Sequence, residues 1–271
     1  MEASIPTQTE QGHVFVNVDF NVAGTMLHAE LPVTPGPATI QDLLPVLHAV
    51  TDAIVSVAEE GSTKQGSPIS CKKGCGACCR QLVPISHDEA AALRDLLENM
   101  PADRRQEVTA RFTQAIDRLQ SAGLLERLQH PEKFTDDELR PLGAEYFRLG
   151  IPCPFLEEES CSIHADRPLA CREYLVTSDP KYCSAPTAET IRMVPAPAKI
   201  SRIITRIGAK GRFTRWQPLI LAAEEACFSN ACAPDAPPMT GPVLLKLIFE
   251  RMANRPIVPG SPESHPPVES A

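Results

Sequence analysis

From residue 14 to 22 the chain alternates apolar and polar side chains, and Val14, Val16, Val18, Phe20 and Val22 fall on one side of an extended backbone. That two-residue period predicts a strand. Ala23-Gly24 suits a turn into a second strand carrying Leu27, Ala29 and Leu31. The period then lengthens. Leu43, Leu47, Val50, Ile54 and Val57 recur at helical spacing and predict an amphipathic helix ending near Gly61. The polar run "GSTKQGSPIS" reads as a flexible linker.

Helices follow. Ser86 and Glu89 have the spacing of a capping box and open a helix through Leu96. A second helix is predicted from about Ala102 to Leu125, and a third, capped by Thr135 and Glu138, stops at Gly150. Residues 153 to 161 run apolar, acidic, apolar, with "LEEES" as the tip of a small hairpin. Further on, Ile200, Ile203, Ile204 and Ile207 form one apolar stripe, with Lys199, Arg202 and Arg206 pointing elsewhere. Pro218 and Pro242 each suit the first turn of a helix. Residues 256–271, rich in Pro and Ser, are expected to be disordered. No internal repeat is visible.

The expected fold is therefore α+β and mainly helical: a small, metal-stapled, cysteine-rich domain with an N-terminal hairpin-helix extension and a C-terminal helical part. The expected boundaries are 1–62 for the hairpin and helix, 63–185 for the cysteine cluster, 186–255 for the helical part and 256–271 for the tail.

Composition narrows the functional classes. The chain has 271 residues, 43% of them hydrophobic, enough for a real core. A formal net charge of −8 argues against a general nucleic-acid binder. The start, "MEASIPTQTEQG", lacks the basic and apolar regions of a secretory signal. No run approaches the ~18 consecutive apolar residues of a membrane span. These features lead to the expectation of a cytoplasmic protein with no membrane association, its thiols kept reduced.

Reduced thiols turn the cysteine pattern into a question about metal. Of ten cysteines, eight (Cys71, Cys75, Cys78, Cys79, Cys153, Cys161, Cys171 and Cys183) lie between positions 71 and 183. "CKKGCGACCR" puts four of them into nine positions. Clustered thiolates are soft ligands that select zinc or iron–sulfur iron over magnesium or calcium. Gly74 and Gly76 give the loop freedom to wrap a guest. Cys78 and Cys79 are adjacent and are expected to serve different roles. Lys72, Lys73, Arg80, Arg167 and Arg172 are placed to offset the thiolate charge. Eight thiols suit two four-cysteine sites, or one cluster and one ion, unless Cys183 and Cys153 are ordinary buried residues. Cys227 and Cys232 stand apart and are set aside.

The run "CKKGCGACCR", the later "CPFL" and "CSIHADRPLACREY", and the trailing Cys183 resemble the zinc- or iron-chelating cysteine-cluster proteins of the CxxCxxCC type. The resemblance covers roughly residues 71 to 183 and implies metal binding through the cysteines. It departs in two places: the first gap is three residues rather than two, and His164 stands where members often carry Tyr. A related flagellin lysine N-methylase carries a similar cluster, which adds a methyl-transfer option. The spacing Cys71-x3-Cys75-x2-Cys78 is also that of radical S-adenosylmethionine enzymes, but here it follows a linker rather than the first strand of a barrel. That spacing favours an iron–sulfur cluster, of the 4Fe-4S kind, over Zn2+.

Weaker signals complete the picture. Between Thr190 and Trp216 lie Arg192, Lys199, Arg202, Arg206, Lys210, Arg212 and Arg215, with no acid. This stretch suits a phosphate, a cofactor carboxylate or an acidic partner, although a merely solvated helix face weighs more. His13, His28, His48, His87 and His130 show no ligand spacing. The chain has no GxGxxG, no phosphate-binding loop and no nucleophile elbow. Two functional classes follow: a metal-stapled module that contacts a protein or small-molecule partner, or a metal- or cluster-dependent enzyme.

Overall fold

Alternation and turn chemistry build the first layer of the fold. In the computed structural model, which describes residues 7–10, 12–72, 74–187, 189–207, 216–224 and 239–253, strand β1 (Thr7–Glu10) pairs with β2 (His13–Val22). β2 pairs antiparallel with β3 (Thr25–Val33), Val16 opposite Leu31 and Val22 opposite Thr25. Ala23 and Gly24 both take positive φ, as a two-residue hairpin turn requires. The alternating residues Val16, Val18, Phe20 and Val22 are buried, while Asn17, Asp19 and Asn21 face outward.

β4 (Pro37–Ala38) leads into α1 (Ile40–Lys64), whose N-terminus is a capping box between Thr39 and Asp42. The helix passes Gly61 and leaves at Gln65-Gly66, one turn later than the apolar stripe indicates. α1 is long and apolar enough to cross a membrane by length and composition. Its apolar face is spent on the core, however: Leu43, Leu47, Val50 and Ile54 are buried against the hairpin.

β5 (Pro84–Ser86) precedes α2 (His87–Glu98), capped by Ser86 and Glu89 as their spacing predicts. α3 (Ala102–Ser121) is followed by a separate short α4 (Leu125–Gln129), then α5 (Asp136–Arg148) behind its Thr135/Glu138 capping box. β6 (Leu156–Glu157) and β7 (Ser160–Cys161) form the small hairpin predicted at "LEEES". α6 (Leu169–Glu173) and α7 (Ile200–Ile204) are short. The isoleucine stripe holds in burial but not in length: all four isoleucines are buried, yet the helix covers three of them.

Strand β8 (Trp216–Pro218) pairs with β5, so Pro218 ends a strand and precedes a single 3-10 turn. β9 (Met239–Thr240) pairs with β4 and feeds α8 (Gly241–Ala253), where Pro242 sits in the first turn as expected. Small sheets among many helices make the fold α+β and mainly helical. Cys227, Cys232, Lys210, Arg212, Arg215 and residues 256–271 lie outside the described residues.

Three apolar clusters hold these elements. The largest joins β2, β3, α1, α7 and α8, with Phe20 and Phe249 in ring contact at 5.1 Å between centroids. A second, around α2 and α3, sets Phe112 edge-on to Phe155 at 5.5 Å and carries Cys153 and Cys161 on its flank. The third packs α3, α4 and α5.

Candidate metal centre

The thiol loop is sewn to a distant segment before its first cysteine. The Ser70 N–H donates to the Val176 carbonyl at 2.9 Å, and Ser70 Oγ donates to the Ser178 carbonyl at 2.5 Å. The Val176 N–H in turn donates to Cys71 Sγ at 3.4 Å. The loop then turns at Gly74, whose φ of +85° few other residues adopt without strain, and the Cys75 N–H closes on the Lys72 carbonyl at 3.1 Å. Gly76 is required for a different reason. Its φ is −96°, but a Cβ there would stand 2.6 Å from Leu156 Cδ1 and 3.1 Å from Glu159 Cα. The β6–β7 hairpin lies directly against the loop.

Cys78 and Cys79 follow on a 3-10 turn, Ala77–Arg80. The Cys153 N–H donates to the Cys79 carbonyl at 2.7 Å, which fixes the second cysteine group against the first. Arg80 pairs with Glu159 at 2.7 Å, and Arg111 with Arg104 grips Glu157, so both flanks of the hairpin are held by guanidinium groups. Cys171 arrives on α6, where buried Glu89 accepts the Leu169 N–H at 2.9 Å. Cys183 sits on a second 3-10 turn, Pro180–Ser184, packed against Ala77–Arg80.

Of the eight cysteines expected to be ligands, seven are half-buried and Cys183 is buried. Their thiols influence one another. Burial pushes the Cys171 thiol well above its ordinary value, with Cys153, Cys78 and Cys161 adding to it. Burial also drives Cys153 up to about 12 and Cys183 to about 11, and raises Cys71 and Cys161. Within the adjacent pair, Cys79 donates a hydrogen bond to Cys78, which lowers the Cys78 thiol to about 7 and raises that of Cys79. Thiols this buried, each raising its neighbours, resist becoming anionic by themselves. A multivalent cation removes that resistance, since metal binding displaces the protons.

The surroundings fit such a guest. The Arg167 guanidinium favours the ionised forms of Cys71, Cys78 and Cys161, and its Nε is one of two buried side-chain polar atoms without a hydrogen-bond partner among the described residues. An unsatisfied buried N–H costs about 1–3 kcal/mol, and an anionic metal–thiolate centre supplies the missing acceptor. Among the described residues no group of three or more His, Cys, Asp or Glu side chains is drawn close enough to hold an ion as it stands.

The charges expected to offset the thiolates divide their roles. Arg80 is engaged by Glu159, and Arg172 is almost fully buried and bonded to Asp52 at 2.8 and 3.0 Å, so Arg167 faces the thiols more directly than either. His164 is exposed, and its Nε2 lies 2.9 Å from Arg167 Nη1. Sequence reasoning missed Glu89 as a support for Cys171. Its capping-box signal accounts for one carboxylate oxygen, and only folding shows the other on α6.

Beside α6 a cleft of about 670 Å3 opens between α1 and α2, lined by Leu44, His48, Asp52, Leu93, Asp166 and Arg172. Burial and the Arg172 charge lower His48 to about 4, against the pull of Asp52 and Asp166.

Residues 70–189 match a family model, CxxCxxCC, described as a "putative zinc- or iron-chelating domain". The match begins one residue before Cys71 and ends beyond Cys183, so it encloses all eight clustered cysteines. This segment is accordingly similar to cysteine-cluster domains of the metal-chelating class, which supports metal binding in general terms. No curated protein and no solved structure matches the chain.

Proposed function

We propose that the clustered cysteines hold an iron–sulfur cluster of the 4Fe-4S kind, and that the metal staples a module whose remaining surface engages a partner. The observation behind this reading is that the matched segment encloses eight half-buried or buried cysteines, three of which feel the charge of Arg167, whose Nε has no hydrogen-bond partner among the described residues. Zinc uses the same donors. The three- and two-residue gaps of Cys71, Cys75 and Cys78 favour iron–sulfur, because structural zinc more often takes cysteines in two-residue-spaced pairs. The Val176 N–H directed at Cys71 Sγ adds the kind of hydrogen bond that tunes cluster sulfur. Thiolates in this number call for a reducing compartment, which supports a cytoplasmic location.

A second reading, a metal- or cluster-dependent enzyme acting in methyl transfer or redox chemistry, is favoured by one observation. The cleft shares Arg172 with the helix that carries Cys171, so a bound small molecule would lie next to the centre.

Anaerobic purification with iron, zinc and acid-labile sulfide analysis tests the first reading. Coloured protein with iron and sulfide in equal amounts is expected. Zinc without sulfide would replace the iron–sulfur assignment, and a well-folded, metal-free, colourless protein would overturn metal binding itself. Calorimetric titration with S-adenosylmethionine then separates the staple from the enzyme, since a closed centre should give no heat.

A further inference from the structure

The cleft between α1 and α2 is apolar along its middle and acidic at both ends. Its volume of about 670 Å3 lies within the ~300–1,000 Å3 of small-molecule sites. Leu44 and Leu93 are buried at its floor, with Ala92 and Leu96 half-buried beside them. At one end Asp95 accepts from Gln41 Nε2 at 2.5 Å. Pro45, inside α1, has no N–H and so withholds the usual donor from the Gln41 carbonyl one turn earlier. At the other end stand Asp52 and Asp166, both acting on the His48 ring. Gln41 and Asp52 are eleven residues apart on α1, about 16 Å along the axis at ~1.5 Å per residue.

The charges in the lining favour a cationic guest. Asp52, Asp95 and Asp166 are exposed, and Arg172 is the one cation among the described lining residues. Its donors are spent: Nη1 bonds both Asp52 oxygens, Nε the Arg167 carbonyl and Nη2 the Ala165 carbonyl. It therefore offers little to an anion. The Asp52 side chain is still 54% exposed and can accept a further donor. Glu89, the fourth acid, is buried and already bonded to Ser86 and Leu169. Burial and the Arg172 charge keep His48 neutral, so its ring adds no positive charge and can accept a hydrogen bond. An inorganic cation needs several oxygens converging on one point, and no such group of three is found among the described residues. Carboxylates at two ends of a hydrocarbon floor suit a long organic cation charged at each end.

We propose that the cleft is a binding site for a linear aliphatic diamine or polyamine, its methylene chain on Leu44, Leu93 and Leu96 and its terminal ammonium groups at Asp95 and at Asp52 with Asp166. The Gln41 carbonyl and the His48 ring supply a neutral acceptor at either end. This names a ligand class for the cleft of the second reading above and rests on that reading only for the cleft being a small-molecule site; the metal content of the centre does not enter it.

Isothermal titration of the full-length protein with the terminal diamine of octane tests it. Saturable one-to-one binding that weakens with added salt is expected. Octylamine, which loses one ion pair, should bind about fivefold more weakly. The diamine of butane should also bind more weakly, because its chain reaches only one end. Octanediol and octanedioate should not bind. Asp95→Asn and Asp166→Asn should each weaken the octane diamine about fivefold. Ala49→Trp, at an exposed lining position between the two ends, should abolish binding and leave the melting temperature unchanged. Binding of octanediol as tight as that of the diamine, or no dependence on chain length, would overturn the two-ended site. Diamine binding untouched by Ala49→Trp would place the ligand elsewhere and refute the assignment. Heat with S-adenosylmethionine but none with the diamine would overturn the diamine proposal and leave the enzyme reading standing, whereas heat with neither would sink both.

Discussion

His48 shows how one side chain carries a consequence that its place in the sequence does not reveal. On α1 it reads as an isolated histidine between apolar positions. Folding sets it beside Arg172, and burial with that positive charge lowers its pKa from 6.5 to about 4. Between those values the unfolded chain binds a proton that the native chain refuses, so stability falls as the pH drops from about 6.5 to about 4. His48→Gln should remove that part of the pH dependence. Urea unfolding of both proteins at neutral and mildly acidic pH checks it: the stability gap between the pH values should shrink in the variant, and an unchanged gap would refute the assignment. Asp52, Asp95, Asp166, Glu89 and Arg172 line the same cleft in both proteins, so the comparison isolates the ring.

The β6–β7 hairpin is the element on which the centre's geometry turns. Its two-residue turn places Glu158 and Glu159 at φ of 46° and 57°, a left-handed conformation that non-glycine residues adopt at a cost of about 1–3 kcal/mol. Arg80 on one flank and Arg104 with Arg111 on the other offset that cost by gripping Glu159 and Glu157. The hairpin in turn needs a seat without a side chain. Gly76→Ala should push its Cβ into Leu156 and the Glu159 backbone, lowering stability by about 1–3 kcal/mol as overpacking does and loosening Cys161. Thermal melts and metal content of the variant measure both effects; a variant as stable and as metal-rich as the parent would show that the hairpin stands clear of the loop. The tip was legible in "LEEES", because a run of acids between apolar pairs has nowhere to go but solvent. The seat was not, because spacing says only that Gly76 is permissive and nothing of what approaches it.

Across the whole molecule, the cysteine region and the largest apolar cluster draw on different forces. The cluster of β2, β3, α1, α7 and α8 is held by buried hydrocarbon, with Leu169 beside Cys171 as one of its members. The cysteine loops are tied to one another by backbone hydrogen bonds between distant segments, Ser70 to Val176 and Cys153 to Cys79. Removing metal with a chelator under reducing conditions should therefore loosen those loops first. Hydrogen exchange should show lost protection at the Cys79, Val176 and Cys153 amides while those of Val16 to Val22 remain protected. Simultaneous loss at both places would mean that the metal holds the entire fold.

The local pattern alone determined the hairpin, the helix on residues 43 to 57, the capping boxes at Ser86 and Thr135 and the four thiols of the Cys71–Cys79 loop. Each follows from interactions within a few residues, whether side-chain alternation, a cap reaching three residues ahead, or thiols crowded along one loop. Tertiary structure decided which faces meet: that residues 14–33 and 241–253 share one core, that Glu89 accepts from the start of the helix carrying Cys171, and that the charge of Arg167 reaches Cys71, Cys78 and Cys161. Those outcomes join residues as far apart in the chain as Phe20 and Phe249, or Ser70 and Ser178. Periodicity tells which face of an element is apolar, but only packing chooses what covers it.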